Sequence, residues 1–282
     1  MTNIKVAVIT GGTSGIGLAV GKALAHRAEW HVYLLGSKEE RGLQATKEIP
    51  ETKFLRANVS DYADLAKTFD AIFKQTGRLD FVFANAGVVE EFDFYARQPK
   101  GEMPPGLDLT TINVNVNGVI YASYLALQYF RQSPGQGKGC CLVVTGSTGS
   151  FYPSGFTPIY AASKHAVLGF MRSIATHFLR DGIRVNALCP GAVRTNLLSE
   201  ETWKLFPDQH LVPMEVVVKI ALAFVDGEEM VDSKGTRVPA TGLHGCAVEI
   251  TGENYYFRDQ PEWADDAVKE VMMATMAPSV NQ

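Results

Sequence analysis

The run KVAVIT, residues 5–10, passes directly into Gly11, Gly12, Thr13, Ser14, Gly15, Ile16 and Gly17, and residues 18–25 then have helix-forming composition. A strand that turns through glycines onto a helix aims free amide N–H groups and the positive end of the helix dipole at one spot. The missing side chains let a pyrophosphate come close. Glycines alone mark any turn; these gain weight from standing at the head of an alternating chain. Short branched runs at 31–35, 53–57, 80–84, 141–145, 183–188 and 247–250 are separated by helix-period stretches. Strands apolar on both faces, alternating with helices, predict an α/β fold: a doubly wound, seven-stranded parallel sheet with helices on both faces.

With 282 residues, 46% of them apolar and 20% charged, the chain suits one domain over 1–282. A net charge of -4 without any Lys/Arg run offers no footprint for nucleic acid or an anionic membrane surface. The apolar stretches are strand-length, and Met1 to Lys5 enters a strand without the regions of a signal peptide, so a cytoplasmic protein is expected. Cys140, Cys141, Cys189 and Cys246 form no CxxC pair, which points to buried free thiols and to neither a metal site nor a disulfide framework. Two stretches break the rhythm: 89–109, with Pro99, Pro104 and Pro105, reads as a surface excursion after the fourth strand, and 226–245 as a polar insertion.

Downstream, Asn85, Ala86 and Gly87 place a second glycine turn at the end of the fourth strand, facing the same crevice. The fifth strand leads to Ser147, and a helix then carries Tyr160 and Lys164 on one face. A Tyr and a Lys four apart are usually just a solvated helix edge. Here they accompany Ser147 at the edge where the glycine turns lie. Hydride transfer at an alcohol carbon needs a proton moved at the oxygen, for which a free phenol is a poor base at neutral pH. An ammonium about 4 Å away at an effective dielectric of about 20 contributes roughly 4 kcal/mol. That is on the order of three pKa units, enough to bring the phenol to about 7 before desolvation takes some of it back.

These motifs resemble the short-chain dehydrogenase/reductase family over residues 5–257. The matches are residues 10–17, Asn85 to Gly87, Asn115 three residues before Gly118, Ser147, Tyr160 with Lys164, and Pro190-Gly191. The resemblance implies a Rossmann-like domain that binds NAD(H) or NADP(H) and interconverts a secondary alcohol and a ketone. Asn115, chosen over Asn113 and Asn117, would hold a water for proton relay, Ser147 the substrate oxygen, and Lys164 the nicotinamide ribose as well. Val193 and Thr195 resemble the family's contacts to the nicotinamide half. At the end of the second strand Gly36 stands where an acid would accept the ribose hydroxyls, followed by Ser37 and Lys38, so NADP(H) is favoured and NAD(H) possible. Asn58-Val59 resembles the family's adenine-contacting Asp-Val pair, with an amide in place of the acid. A non-redox isomerase or cyclase using Tyr160 with a structurally bound nucleotide is the alternative.

Residues 193–212 resemble a substrate lid, and Leu198, Trp203, Leu205 and Phe206, with Phe151, Tyr152 and Phe156, suggest a hydrophobic small-molecule substrate. His165 and Cys189 are read as structural. The helices 110–131 and 158–180 are apolar or small around more of their circumference than one-sided packing needs. This predicts a homodimer or homotetramer built on them.

Overall fold

The computed structural model describes residues 4–276. Residues 1–3, part of the stretch read above as lacking a signal peptide, lie outside them. In chain order the first half comprises β1 (Lys5–Thr10), α1 (Gly15–Ala25), β2 (Trp30–Gly36), α2 (Glu39–Glu48), β3 (Thr52–Arg56), α3 (Tyr62–Thr76) and β4 (Phe81–Ala84). After a long excursion come α4 (Thr110–Ile112), a π-helical turn (Asn113–Asn117), α5 (Gly118–Gln132), β5 (Cys141–Thr145), α6 (Pro158–Arg180) and β6 (Arg184–Pro190). The remainder holds α7 (Glu200–Trp203), α8 (Met214–Asp226), β7 (Met230–Val231), β8 (Arg237–Val238), β9 (Ala247–Thr251), β10 (Asn254–Phe257) and α9 (Asp266–Thr275).

The main sheet has the order β10-β9-β6-β5-β4-β1-β2-β3, a Rossmann-like doubly wound arrangement. Its seven expected strands are parallel, but β10 adds an eighth, antiparallel edge strand beside β9. The cause is local: Gly252 takes φ 53°, a left-handed turn that folds the chain back on β9. The half-buried Tyr255 and Phe257 then pack on the core. The polar insertion forms a separate β7–β8 ribbon. Its Asp232 carboxylate accepts N–H bonds from Thr236 at 2.8 Å and from Phe257 at 3.1 Å, tying the ribbon to β10.

Alternation along the strands divides the core into two layers. On β1, Val6 and Val8 face Phe69 of α3, Val119 of α5 and Val167 of α6. Ala7 and Ile9 face Val20 and Leu24 of α1 and Val217 and Phe224 of α8. Each fully buried Leu or Phe here contributes about 1.5–3 kcal/mol. Strand order reverses between β1 and β4, which opens a crevice beyond their carboxyl ends.

Candidate active site

Asn85 sits at that reversal and ties three strand ends together. Its backbone N–H donates to Thr10 Oγ1 at 3.0 Å and its Nδ2 to the Thr10 and Gly11 carbonyls at 3.3 and 3.4 Å. Its Oδ1 accepts the Thr145 hydroxyl at 3.0 Å, and the Ala86 N–H donates to Thr10 Oγ1 at 3.2 Å. Beside it the glycine turn leaves no room for side chains. Gly11 and Gly15 take φ 63° and 53°, and a Cβ on Gly17 would lie 2.4 Å from the Gly11 carbonyl oxygen. Ser14 precedes α1 without a side-chain cap, and no acid stands in the first turn, so the amides at Gly15, Ile16 and Gly17 are left for an anion. A Cβ at Gly87 would approach Asn115 Oδ1 to 3.4 Å and Lys164 Nζ to 3.6 Å, so that floor too is kept clear. This cradle fits a nicotinamide dinucleotide.

At the end of β2, Gly36 is buried, and a Cβ there would lie 2.8 Å from both Cγ2 and Oγ1 of Thr13. A side chain at that position would require Thr13 to shift. Ser37 and Lys38 are exposed, and a cleft between the start of α1 and α2 is lined by Thr13, Ser14, Leu18, Arg41, Gln44, Ala45, Glu48 and Asn196, one cation and one anion among them. Arg41 escaped the sequence reading; a second basic residue one helical turn beyond Lys38 was the available signal. Asn58 Oδ1 accepts the Ser60 N–H at 3.1 Å and the Ser60 hydroxyl at 2.8 Å, a local Asx turn. Val59 packs against Gly118. At the opposite wall, Pro190 ends β6, and the Gly191 N–H donates to the Ile250 carbonyl at 2.8 Å. Val193 is buried, and Thr195 Cγ2 lies 3.1 Å from the Cβ position of Gly15.

The chemistry-bearing side chains converge beyond β5. Ser147 Oγ accepts the Gly149 N–H at 3.1 Å, which leaves its hydroxyl proton free to donate. Ser150, in contrast, is a staple: it accepts the Ser147 N–H at 3.1 Å and donates to the Lys164 carbonyl at 2.8 Å. The buried Lys164 Nζ donates to the Thr145 carbonyl at 2.9 Å, and loss of hydration lowers its pKa to about 8. Burial raises the Tyr160 phenol above its ordinary value, a hydrogen bond with Ser147 pulls it back, and Cys189 and Glu90 add to the rise. The expected lowering by Lys164 does not arise in the chain alone. Nζ lies 5.5 Å from the ring centroid and is turned onto Thr145.

Asn115 is fully buried in the π-helical turn, a distortion that often serves functional sites. Its Oδ1 accepts the Val88 N–H at 2.8 Å, and its Nδ2 donates to the Val88 carbonyl at 2.9 Å and to Ser163 Oγ at 3.0 Å. Asn113 and Asn117 bond each other at 3.2 Å on the helix surface. Sequence reasoning missed Glu90, a buried carboxylate that accepts the backbone N–H groups of Ile159 at 2.8 Å and Tyr160 at 2.9 Å. No local pattern signals a cap supplied from so far along the chain.

Around the mouth, the Trp203 indole N–H donates to the Thr195 carbonyl at 3.0 Å, while Leu205 and Phe206 stay exposed. Phe156 is 96% exposed, so it offers apolar area without packing inside the protein. Tyr152 accepts a bond from Arg258 at 2.8 Å, and Arg258 in turn pairs with the buried Glu249 and lies over the Phe151 ring. His165 Nδ1 contacts the Ala161 carbonyl at 2.9 Å. Burial pushes the Cys189 thiol up to about 12, and all four cysteines are unpaired. Among the described residues no group of His, Cys, Asp or Glu could hold a metal, and no helix is long and apolar enough to cross a membrane.

Comparison with known proteins adds to this geometry. Residues 5–204 match the family described as short chain dehydrogenase. The short-chain dehydrogenase/reductase prx7 of Penicillium rubens is 46% identical over 271 residues, covering 93% of this chain and 96% of that protein. A 15-hydroxyprostaglandin dehydrogenase of Homo sapiens, whose name specifies NAD(+), is 33% identical over 204 residues, 70% of this chain and 71% of the human protein. Among solved structures, 3-ketoacyl-(acyl-carrier-protein) reductase from Brucella melitensis, complexed with NADH, superposes with a TM-score of 0.72 at 23% identity. The match covers 88% of this chain and 97% of that one.

Proposed function

Because the chain belongs to the short-chain dehydrogenase family, we propose that it is an NADP(H)-preferring oxidoreductase that interconverts a secondary alcohol and a ketone on a hydrophobic small molecule. The observation that carries this reading is the meeting of Ser147, Tyr160 and Lys164 beside the glycine cradle. The dinucleotide, held by residues 11–17 and 85–87, supplies or accepts the hydride when bound. In the reducing direction the Tyr160 O–H delivers its proton to the substrate oxygen, which Ser147 holds once its hydroxyl turns from the phenol to the substrate. Burial favours the protonated phenol in the chain alone, as an acid requires. With its pKa near 8, Lys164 is still a cation at neutral pH, and it meets the phenolate left behind by turning from the Thr145 carbonyl. Asn115 fixes the Val88 backbone beside this path.

Relatives named for NAD(+) favour the other nucleotide, whereas the absence of an acid at Gly36 and the cleft bearing Arg41 near Lys38 favour a 2′-phosphate. Residues 193–212, anchored by Trp203, act as the lid, and the exposed Leu205, Phe206 and Phe156 favour an apolar substrate. The outward face of α6 is open: Ala166 is exposed, and a Cβ on Gly169 would meet nothing within 4 Å. α9 buries none of its own residues, so we read the α5 and α6 faces as a contact between copies of the chain. Unpaired buried thiols fit a reducing, cytoplasmic setting. The test is reduced-nicotinamide absorbance over a panel of hydrophobic ketones and alcohols with each nucleotide. Binding of nucleotide with no redox turnover of any member would overturn the reading.

A further inference from the structure

The helix that carries Tyr160 and Lys164 begins without a cap of its own. Thr157 makes no side-chain bond to the amides of α6, because its hydroxyl is engaged with Ser154 at 2.8 Å. The first turn is instead closed from the excursion that follows β4. Glu90 is 8% exposed, and each of its carboxylate oxygens accepts one amide N–H, from Ile159 at 2.8 Å and from Tyr160 itself at 2.9 Å. Two residues before Glu90, Val88 is clamped through both its N–H and its carbonyl by Asn115. One short segment therefore holds the Asn115 turn at one end and the Tyr160 backbone at the other. Charge-assisted bonds of this kind are about twice as strong as neutral ones, and a buried site weakens them little.

We propose that Glu90 is a positioning residue for catalysis: from a distant segment of the same chain it fixes the Tyr160 backbone and sets a negative charge at the helix end that carries the phenol. The proposal rests on the oxidoreductase reading only for its kinetic consequences. The groups around Tyr160 are Ser147 from the β5 end, Cys189 from β6, Lys164 from α6 and, at its backbone, Glu90 from the excursion. Of these, Glu90 is the anionic side chain, and its charge works in the same direction as burial, keeping the proton on the oxygen. Loss of that charge eases ionisation. Loss of the bonds lets the first turn of α6 shift, and a displacement of about 1 Å at a reacting group costs on the order of a hundredfold in rate.

Two variants of the full chain separate these effects. Glu90→Gln keeps size and one acceptor but removes the charge; Glu90→Ala removes both. Phenolate absorbance is titrated in each and in wild type, with Tyr160→Phe as the blank, and needs no turnover. Where a substrate pair is turned over, kcat, KM for nucleotide and the pH profile of oxidation are measured as well. In Glu90→Gln both the Tyr160 titration and the oxidation profile should move to lower pH. In Glu90→Ala kcat should fall by about ten- to a hundredfold, with nucleotide KM within about twofold of wild type. A Tyr160 titration unmoved in Glu90→Gln, or a Glu90→Ala variant that loses thermal stability while keeping wild-type kcat, would reduce Glu90 to an ordinary structural cap and overturn the proposal. If no substrate pair is turned over, the phenolate titration still decides it, and the oxidoreductase reading fails separately.

Discussion

Replacing Lys164 with Met tests the electrostatics of the site through stability. Burial lowers the Lys164 pKa from 10.5 to about 8, so at neutral pH the folded protein holds a charge that the unfolded chain would hydrate freely. At 1.36 kcal/mol per unit, a gap of about 2.5 units is a cost of ~3.4 kcal/mol. The sign follows from linkage. Between about pH 8 and pH 10.5 the unfolded state binds more protons than the folded state, so stability from this group rises with pH across that window, and below it the penalty is complete. Lys164→Met removes the penalty but also the bond to the Thr145 carbonyl, whose loss costs about 1–3 kcal/mol. The second cost does not depend on pH. Denaturant unfolding of both proteins at about pH 7 and about pH 10 therefore isolates the first: the difference between them should shift against the variant by ~2.5 kcal/mol as pH rises. Cys189, held up at about 12, and Tyr160, also raised, ionise more readily in the unfolded chain than in the folded one, but that effect is common to both proteins and cancels in the difference. A stability difference that stays flat from neutral to alkaline pH would refute the reasoning.

Tyr160→Phe should lower turnover by about two orders of magnitude or more while nucleotide binding, followed by fluorescence, stays near wild type. Arg41→Ala should weaken NADP(H) by about tenfold or more and leave NAD(H) unchanged, read from KM for each nucleotide; equal effects on both would remove Arg41 from the 2′-phosphate. Ala166→Glu, placed on the open face of α6, should give the monomer mass in light scattering where wild type gives a multiple of it.

Much of the parallel sheet was legible because strands covered on both faces must be apolar throughout, and turns between such strands and helices concentrate glycine. The strand β10 was not, because Asn254-Tyr255-Tyr256-Phe257 is short and follows a turn whose left-handed Gly252 reads from sequence as any glycine. Ser147, Tyr160 and Lys164 were singled out from spacing on one strand end and one helix face, and Asn115 through the family resemblance; the structure brings the first three together and buries Asn115 against Val88. Glu90 was not readable, since its partners are backbone amides on a helix far along the chain. Gly36 was read for the acid it lacks, whereas its nearest constraint is the Thr13 side chain packed against it. For the phenol, spacing told which groups would be neighbours but neither the burial that raises Tyr160 nor the turn of Lys164 toward Thr145.

The place of β6 between β5 and β9 sets an order of assembly on the ribosome. Once β5 has emerged, the strands from β3 to β5 and both glycine turns can form. The outer edge of β6, however, stays unpaired until residues 247–251 have been made. Through that interval a buried, apolar strand edge is open to pairing with other nascent chains, a window in which a holding chaperone would matter most. The final turn then brings in β10 and Arg258, which bonds Tyr152 in the loop between Ser147 and Tyr160. A chain released early would carry its nucleotide cradle without the residue that pins its substrate side.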